Sequence, residues 1–130
     1  MKHFAFTKLV VVDLAAAEAF YTSVFGLTPT HRVHSEIGPR PIDEVMFAAT
    51  APGGSTFVLL RYADLQAPSN DEVIVGFVTD DVDALCERAV QAGGTVTREP
   101  RDMAEHGVRV GFVTDPEGHL IEVVQQLGAR

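Results

Sequence analysis

The chain has little cysteine, no tryptophan and few basic side chains. Its 130 residues include one cysteine, Cys86, so a disulfide within the chain is excluded. A domain of this length buries enough apolar surface to fold without a disulfide or a structural metal. Ten basic residues stand against 18 acidic ones, and the net charge of −8 repels phosphate backbones. Nucleic acid is therefore not an expected partner.

Long apolar runs are also missing. Lys8 and Asp13 bracket the most apolar run, which is much shorter than the roughly 18 residues of a membrane-spanning helix. The first residues contain too short an apolar run for a signal peptide. We therefore expect a cytoplasmic protein without a membrane partner.

A β-α-β-β-β pattern occurs twice along the chain. Both predicted helices follow an aspartate that can cap them, Asp13 and Asp81, and both precede a glycine, Gly26 and Gly94. Each pair is 68 residues apart, which indicates an internal repeat. The predicted strands are 4–12, 28–33, 44–49, 56–62, 72–79, 95–98, 108–114 and 119–125, and the predicted helices are 14–25 and 82–92.

The repeat predicts an α+β fold. We expect residues 1–130 to form a single domain, with module 1 at 1–62, a linker at 63–70 and module 2 at 71–130. The hollow between the two halves is the expected pocket.

The strongest hairpin signal is the segment Asp115-Pro116-Glu117-Gly118 between two β-branched runs. We expect Thr114 to pair with His119 across this loop. Because cross-strand partners share a face, this pairing sorts the residues of the two strands into two sets. One face then carries Arg109, Gly111, Val113, Leu120, Glu122 and Val124. The other carries Val108, Val110, Phe112, Ile121 and Val123. The second set is apolar and is expected to contact a helix, so the first is the predicted binding face.

Two segments carry a family resemblance. The first contains Asp13-Leu14, Phe20-Tyr21 and Phe25-Gly26-Leu27, and the second is Asp-Pro-Glu-Gly-His-Leu-Ile-Glu at 115–122. Together with the repeat, they resemble the vicinal oxygen chelate superfamily, which includes glyoxalase I, bleomycin resistance proteins and extradiol dioxygenases. The resemblance implies two βαβββ modules that form a cup-shaped, eight-stranded mixed sheet with the helices outside, usually in a homodimer.

The resemblance also implies metal-ligand positions on the first and last strands of the modules. The terminal glutamate of the family falls on Glu122. The other positions fall on Phe6, on Ile74 and on either Val58 or Leu59, depending on the alignment. A single carboxylate would hold a transition metal weakly, so we expect neither a metal nor another cofactor.

The remaining candidate residues have ordinary structural explanations. His31 and His34 lie three apart on a predicted strand, so their side chains point to opposite faces. His119, at the turn, is expected to be partly exposed. Cys86 belongs to the apolar stripe of the second helix and is expected to pack in the core. Arg109 and Glu122 either form a structural ion pair or anchor a ligand.

Two functions fit these residues. The first is a binding protein of the bleomycin-resistance type, which sequesters a small amphipathic molecule in an apolar, metal-free cup and so confers antibiotic resistance by mass action. The alternative is an enzyme, namely a lyase, isomerase or dioxygenase, with Glu122 as general base or as the remaining ligand of an atypical metal site. Besides a small-molecule ligand, a second copy of the chain is the expected partner. The expected ligand contacts are Phe6, Lys8, Val58, Leu59, Ile74, Arg109, Val113, Leu120, Glu122 and Val124.

Overall fold

Both copies of the repeat fold as βαβββ units, which confirms the predicted α+β class. The computed structural model describes residues 2–67 and 72–128, so part of the predicted linker, 68–70, lies outside the described residues. The chain divides into two units, Met1–Pro68 and Ser69–Arg130. The first unit comprises β1 (Phe6–Val10), α1 (Leu14–Phe25), β2 (Pro29–Ile37), β3 (Arg40–Phe47) and β4 (Thr56–Tyr62). The second comprises β5 (Ile74–Val78), α2 (Val82–Gln91), β6 (Thr95–Met103), a short 3-10 turn (Ala104–His106), β7 (Val108–Thr114) and β8 (Leu120–Gln126).

Both helix N-termini and the end of α1 are fixed by the capping residues that the sequence indicated, whereas α2 ends at Gln91 and the glycine with a left-handed φ after it is Gly93, not Gly94. The Asp13 side chain accepts a hydrogen bond from the Ala16 amide at 3.0 Å, and Asp81 accepts one from Ala84 at the same distance. Gly26 ends α1 with a φ of 67°, a left-handed conformation that glycine adopts without strain. Neither helix within 2–67 and 72–128 is long and apolar enough to cross a membrane.

The two sheets have the same strand order. The first is ordered β1-β4-β3-β2 and the second β5-β8-β7-β6, and in each the first two strands listed run parallel. In the first unit, the apolar side of α1 covers Leu9, Val45 and Leu59, which are all buried. In the second unit, α2 covers Val113, Ile121 and Val123. Cys86 lies within this second core, as predicted, and burial raises the pKa of its thiol.

Three strands, β2, β3 and β6, extend into segments outside the predicted strands. Residues 35–41, which lie between the predicted strands 28–33 and 44–49, form the tip of the β2–β3 hairpin, where Ser35 pairs with Ile42 and Ile37 with Arg40 around Gly38. Strand β6 continues to Met103 because its second half pairs with β7. In both cases backbone pairing with a neighbouring strand outweighs the turn tendency of proline and glycine.

The β7–β8 hairpin has a different register from the predicted one. Thr114 pairs with Leu120, one residue beyond His119, and the loop therefore contains five residues. Asp115 stabilises this loop, because its side chain accepts hydrogen bonds from the amides of Glu117 and His119. It also contacts His119 Nδ1 at 2.8 Å. His119 is consequently buried, which corrects the expectation of a partly exposed side chain.

The change of register rearranges the two faces of the hairpin. Because the strand period is two, a shift of one residue turns β7 over relative to β8. Arg109 and Val113 therefore share the α2 side with Ile121 and Val123, and the predicted grouping of Arg109 with Glu122 is wrong.

Candidate functional site

A pocket of about 460 Å³ lies on the face of the second sheet opposite α2. We call it the second-sheet pocket. Arg98 pairs with Phe112, and Phe112 pairs with Glu122. The lining residues of β6, β7 and β8 therefore lie on one face of the sheet. Its full lining is Arg98, Arg101, Met103, His106, Val108, Val110, Phe112, Glu122 and Val124.

The pocket combines an apolar floor with charges at two sides. Arg98 and Arg101 are exposed on β6, and Glu122 is half-buried on β8. Within the part of the chain that the structure describes, none of these three side chains makes a hydrogen bond or an ion pair. Their charged groups are therefore available to a bound molecule, with positive charge on one side of the apolar floor and negative charge on the other.

Arg109 lies on the α2 side and is fully engaged there. Its Nε donates to Asp83 Oδ2 at 2.8 Å, its Nη2 to Asp83 Oδ1 at 2.9 Å and its Nη1 to Asp102 Oδ1 at 3.1 Å. These hydrogen bonds lower the pKa of the Asp83 carboxyl. Arg109 thus joins α2 to β7 and β6, and the predicted ion pair with Glu122 is absent from the described structure.

The other candidates in the second unit divide between the two faces. Ile74 pairs with Leu120, and both lie on the same face as Glu122 and Val124. Val113 is buried on the α2 side. A ligand in the second-sheet pocket can thus contact Val124 and Glu122, whereas Val113 is separated from it by the sheet.

The candidates in the first unit also lie on two faces. Lys8 pairs with Val58, and together with Phe6 these residues occupy the face opposite α1. Leu59 pairs with Leu9 and Val45 on the α1 side. Of the two alternatives for the family position on β4, Val58 is therefore the one on the face that carries Lys8.

The residues present do not fit the metal centre that the resemblance implies. Three of the implied positions hold Phe6, Val58 and Ile74, whose side chains carry no donor atom. Glu122 and His106 both line the second-sheet pocket, but two donors fall short of the usual three or four. Within each unit, as far as the structure describes it, no three His, Cys, Asp or Glu side chains come close enough to hold a metal ion.

Sequence reasoning missed two sets of residues. The basic side of the pocket is not apparent from the sequence, because the predicted strand ends at Arg98, whereas in the structure Arg98, Arg101 and Met103 pair with successive same-face residues of β7. Glu44 was also missed. It is buried, and Lys8 Nζ lies 2.6 Å from its Oε2. An acidic residue inside an apolar strand was the available signal.

Comparisons with known proteins agree with this fold. Residues 1–123 match the model of the Glyoxalase/Bleomycin resistance protein/Dioxygenase superfamily. The chain is 28% identical over 126 residues to a probable lactoylglutathione lyase of Vibrio cholerae, covering 95% of this chain and 91% of that protein. It is 33% identical over 125 residues to a lactoylglutathione lyase of Arabidopsis thaliana, covering 89% of this chain and 41% of the longer plant protein.

Solved structures extend this similarity to the fold. A glyoxalase family protein from Bacillus cereus superposes with a TM-score of 0.84 at 21% identity, and 98% of this chain and 96% of that one are covered. The duplicated βαβββ unit, the superfamily match over 1–123 and this superposition all agree. The chain belongs to the Glyoxalase/Bleomycin resistance protein/Dioxygenase superfamily.

Proposed function

We propose that the chain binds a small amphipathic anion in the second-sheet pocket, without a metal ion, in the manner of a resistance or sequestration protein. The observation that carries the proposal is the presence of Arg98 and Arg101, without partners among the described residues, beside an apolar floor. A guanidinium binds a carboxylate or phosphate through two parallel hydrogen bonds. Phe112 and the valines of β7 suit the apolar body of the same molecule.

A ligand screen tests this proposal. We would compare aromatic and aliphatic acids with amines of the same skeleton by thermal shift on purified protein, and then measure the affinity of any hit by calorimetry. Arg98→Ala and Arg101→Ala are expected to weaken the binding of an acid by about tenfold or more each, which is the loss of a charge-assisted hydrogen bond.

Arg88→Ala is the matched control, because Arg88 is exposed on α2 and lies outside the pocket lining. It removes the same charge from the chain and should leave affinity nearly unchanged. If all three variants bind the acid equally, or if only amines bind, the proposal is wrong.

A second candidate function is an enzyme with Glu122 as general base. Glu122 lines the pocket without an ion pair among the described residues, so its carboxylate could accept a proton from a bound substrate. The relatives named as lactoylglutathione lyases also favour catalysis. The assay would follow, by mass spectrometry, the interconversion of lactoylglutathione with glutathione and 2-oxopropanal, in which the carbon–sulfur bond breaks or forms without water. Glu122→Gln should abolish conversion while binding persists, whereas Glu36→Gln, at an exposed position on β2, should have no effect.

Metal content separates these proposals from a metal-dependent enzyme. We expect less than one zinc, nickel, manganese or iron atom per chain after purification without chelator, because the implied ligand positions lack donors. One metal atom per chain that disappears in Glu122→Ala would overturn the metal-free proposal.

We further propose that the chain forms a homodimer. Phe6 on β1 and Ile74 and Val78 on β5 are exposed apolar side chains on strands at the edges of their sheets. Such edges are commonly covered by a partner. Light scattering at micromolar concentration should give about twice the chain mass of 14.0 kDa, and a mass of one chain would contradict this.

A further inference from the structure

A groove of about 410 Å³ lies between α2 and β6 in the second unit. We call it the helix groove. The β6 side of the groove lies on the same face of the sheet as α2, since Val96 pairs with Val113, which α2 covers. The sheet therefore separates the helix groove from the second-sheet pocket. Its main lining is Cys86, Glu87 and Val90 from α2, and Val96, Glu99 and Pro100 from β6.

The internal repeat shows why the groove is open. Glu18 and Arg32 of the first unit stand 68 residues before Cys86 and Pro100, which is the spacing of the two capping aspartates. Glu18 and Arg32 are joined by two hydrogen bonds of 2.6 Å, so their side chains span the gap between α1 and β2. A thiol and a proline ring are too short to span the equivalent gap. The second unit thus has a groove where the first has an ion pair.

Cys86 and Pro100 form the floor of the helix groove. A Cβ added at Gly111 would lie 3.3 Å from Cys86 Sγ and 3.2 Å from Pro100 Cγ, so both side chains lie against the same backbone position of β7. Cys86 is 4% exposed and lines the groove, and within residues 2–67 and 72–128 its thiol has no hydrogen-bond partner. A buried polar group without a partner is costly, and a molecule in the groove would supply one.

The rim of the helix groove is acidic. Glu87 on α2 and Glu99 on β6 are exposed, and neither side chain makes a hydrogen bond or an ion pair with any residue that the structure describes. Asp83 differs from them, because Arg109 binds both of its carboxylate oxygens. Burial, and then the carboxylates of Glu99 and Asp83, raise the pKa of the Cys86 thiol. The negative charge of the rim therefore reaches the floor, and the groove favours a cation.

The walls of the helix groove favour an organic cation over a metal ion. Val90 is 52% exposed on α2, and Val96 and Pro100 are half-buried on β6. These side chains gain from contact with an apolar body, which a metal ion does not have. In addition, no three His, Cys, Asp or Glu side chains in the described parts of this unit come close enough to hold a metal ion.

We propose that the helix groove binds a small organic ammonium ion. Its N–H groups donate hydrogen bonds to Glu87 and Glu99. Its apolar body packs on Val90, Val96 and Pro100, above the Cys86 thiol. This ligand is opposite in charge to the one proposed for the second-sheet pocket, and the two sites share no lining residue.

The thiol provides a reporter inside the groove. Cys86 is the one cysteine of the chain, so protein labelled with carbon-13 at the cysteine β-carbon gives a single signal. When 2-phenylethylamine is added at neutral pH, this signal should shift along a saturating curve. Methylamine has the charge without the apolar body, and 3-phenylpropanoate has the opposite charge, so both should leave the signal in place. No shift with 2-phenylethylamine, or an equal response to all three molecules, would overturn the proposal.

Substitutions then connect the signal to the acidic rim. Glu87→Gln combined with Glu99→Gln should raise the midpoint of the titration about tenfold or more, because charge-assisted hydrogen bonds are lost. Glu36→Gln combined with Glu105→Gln is the matched control, since it changes the net charge equally at exposed positions outside the groove. Its midpoint should equal that of the wild type. If both double variants weaken binding equally, the amine responds to the overall charge of the chain and the proposal is wrong.

A third variant separates this site from the second-sheet pocket. In Arg98→Ala combined with Arg101→Ala, the shift of the Cys86 signal with 2-phenylethylamine should persist with an unchanged midpoint, because both arginines lie on the other side of the sheet. Loss of that shift would overturn the inference. If acids bind through the arginines while the amine leaves the Cys86 signal in place, the proposed function stands and the inference falls. If the amine shifts the signal and no acid binds, the inference stands and the proposed function falls.

Discussion

The two units share one topology but use charge differently on their helix-distal faces. Val58 on β4 pairs with Lys8 and Met46, and Glu122 on β8 pairs with Gly76 and Phe112 at the equivalent position. In the first unit, the carboxylate of this face lies on β3 instead, where Glu44 is buried against Lys8. In the second, Glu122 stays on the last strand without an ion pair among the described residues. The same backbone can therefore carry a neutralised charge in one copy and an available charge in the other.

On the helix side, by contrast, the two units use charge in the same way. In the first unit Arg32 donates two hydrogen bonds of 2.6 Å to Glu18 of α1. In the second unit Arg109 joins α2 through Asp83 in the same bidentate manner. In both units, an arginine of the sheet thus binds a carboxylate of the helix, from β2 in the first unit and from β7 in the second. This helix–sheet ion pair is common to both units, whereas the charges on the helix-distal face differ between them.

The largest expected effect on stability comes from exchanging the equivalent residues of the last strands, Val58 on β4 and Glu122 on β8. Val58 is completely buried, so Val58→Glu would place a larger, charged side chain where neither space nor solvent is available. It would also add a second carboxylate to the face that carries Glu44. We expect a loss of about 2 to 4 kcal/mol in the free energy of unfolding, measured by urea denaturation.

The reverse exchange is the control. Glu122→Val removes a half-buried carboxylate that has no ion pair among the described residues, and we expect a change of within about 0.5 kcal/mol. Equal destabilisation by both exchanges would contradict the difference between a fully buried position 58 and a half-buried position 122.

A glycine under α2 gives the next largest expected effect. Gly111 occupies the position that Val45 holds in the first unit, since each pairs with a buried residue of the last strand. A Cβ at Gly111 would lie 3.2 Å from Pro100 Cγ and 3.3 Å from Cys86 Sγ, which is closer than ordinary contact. Gly111→Val should therefore cost about 1 to 3 kcal/mol through overpacking.

Gly76→Val is the matched control for this prediction. At Gly76 the nearest atom to an added Cβ is the Glu122 carbonyl oxygen at 4.0 Å, so space is available. Thermal unfolding of both variants is the measurement. A stable Gly111→Val protein would mean that α2 can move away from the sheet without loss of packing.

Arg109→Ala should lower stability less than Gly111→Val does, because the carboxylates it pairs with are largely exposed and solvent weakens such pairs. Arg32→Ala should have a similar effect in the first unit. Neither substitution should change the affinity of an acid bound in the second-sheet pocket, since Arg109 lies on the other side of the sheet. Weakened binding in Arg109→Ala at unchanged stability would restore Arg109 as a ligand contact.

The sequence predicted the elements well and the faces less well. Helix boundaries followed from Asp13, Asp81 and Gly26, because capping is a local interaction between neighbouring residues. The hairpin register could not be read locally. It depends on Asp115, whose side chain holds the His119 amide and so adds one residue to the loop. That single residue decided whether Arg109 or Phe112 lies on the same side of the sheet as Glu122.

The candidate site was accordingly predicted in part. Glu122 and Val124, two of the expected ligand contacts, line the second-sheet pocket, and their contact with a ligand stays a prediction. Arg98 and Arg101 were missed because their strand contains Pro100 and shows register shifts, which obscure the alternation of side chains. Charged residues that meet only through strand pairing, such as Lys8 and Glu44, leave no pattern in a local stretch of sequence.

The smallest expected effect is on the pH dependence of stability, and it again compares the two helix–sheet ion pairs. Hydrogen bonds from Arg32 lower the pKa of Glu18, and hydrogen bonds from Arg109 lower the pKa of Asp83. Because each folded pKa lies below the unfolded value of about 4, the unfolded chain binds more protons in acid, and stability rises with pH. The contribution is complete above the unfolded pKa and is lost as the pH falls through the folded pKa. Glu18→Gln and Asp83→Asn should each flatten the loss of stability between about pH 5 and pH 2 and leave the curve above pH 6 parallel to that of the wild type. Urea denaturation across this range is the measurement, with Glu36→Gln as the exposed control. An acid limb as steep in both variants as in the wild type would show that neither arginine holds its helix through a charged carboxylate.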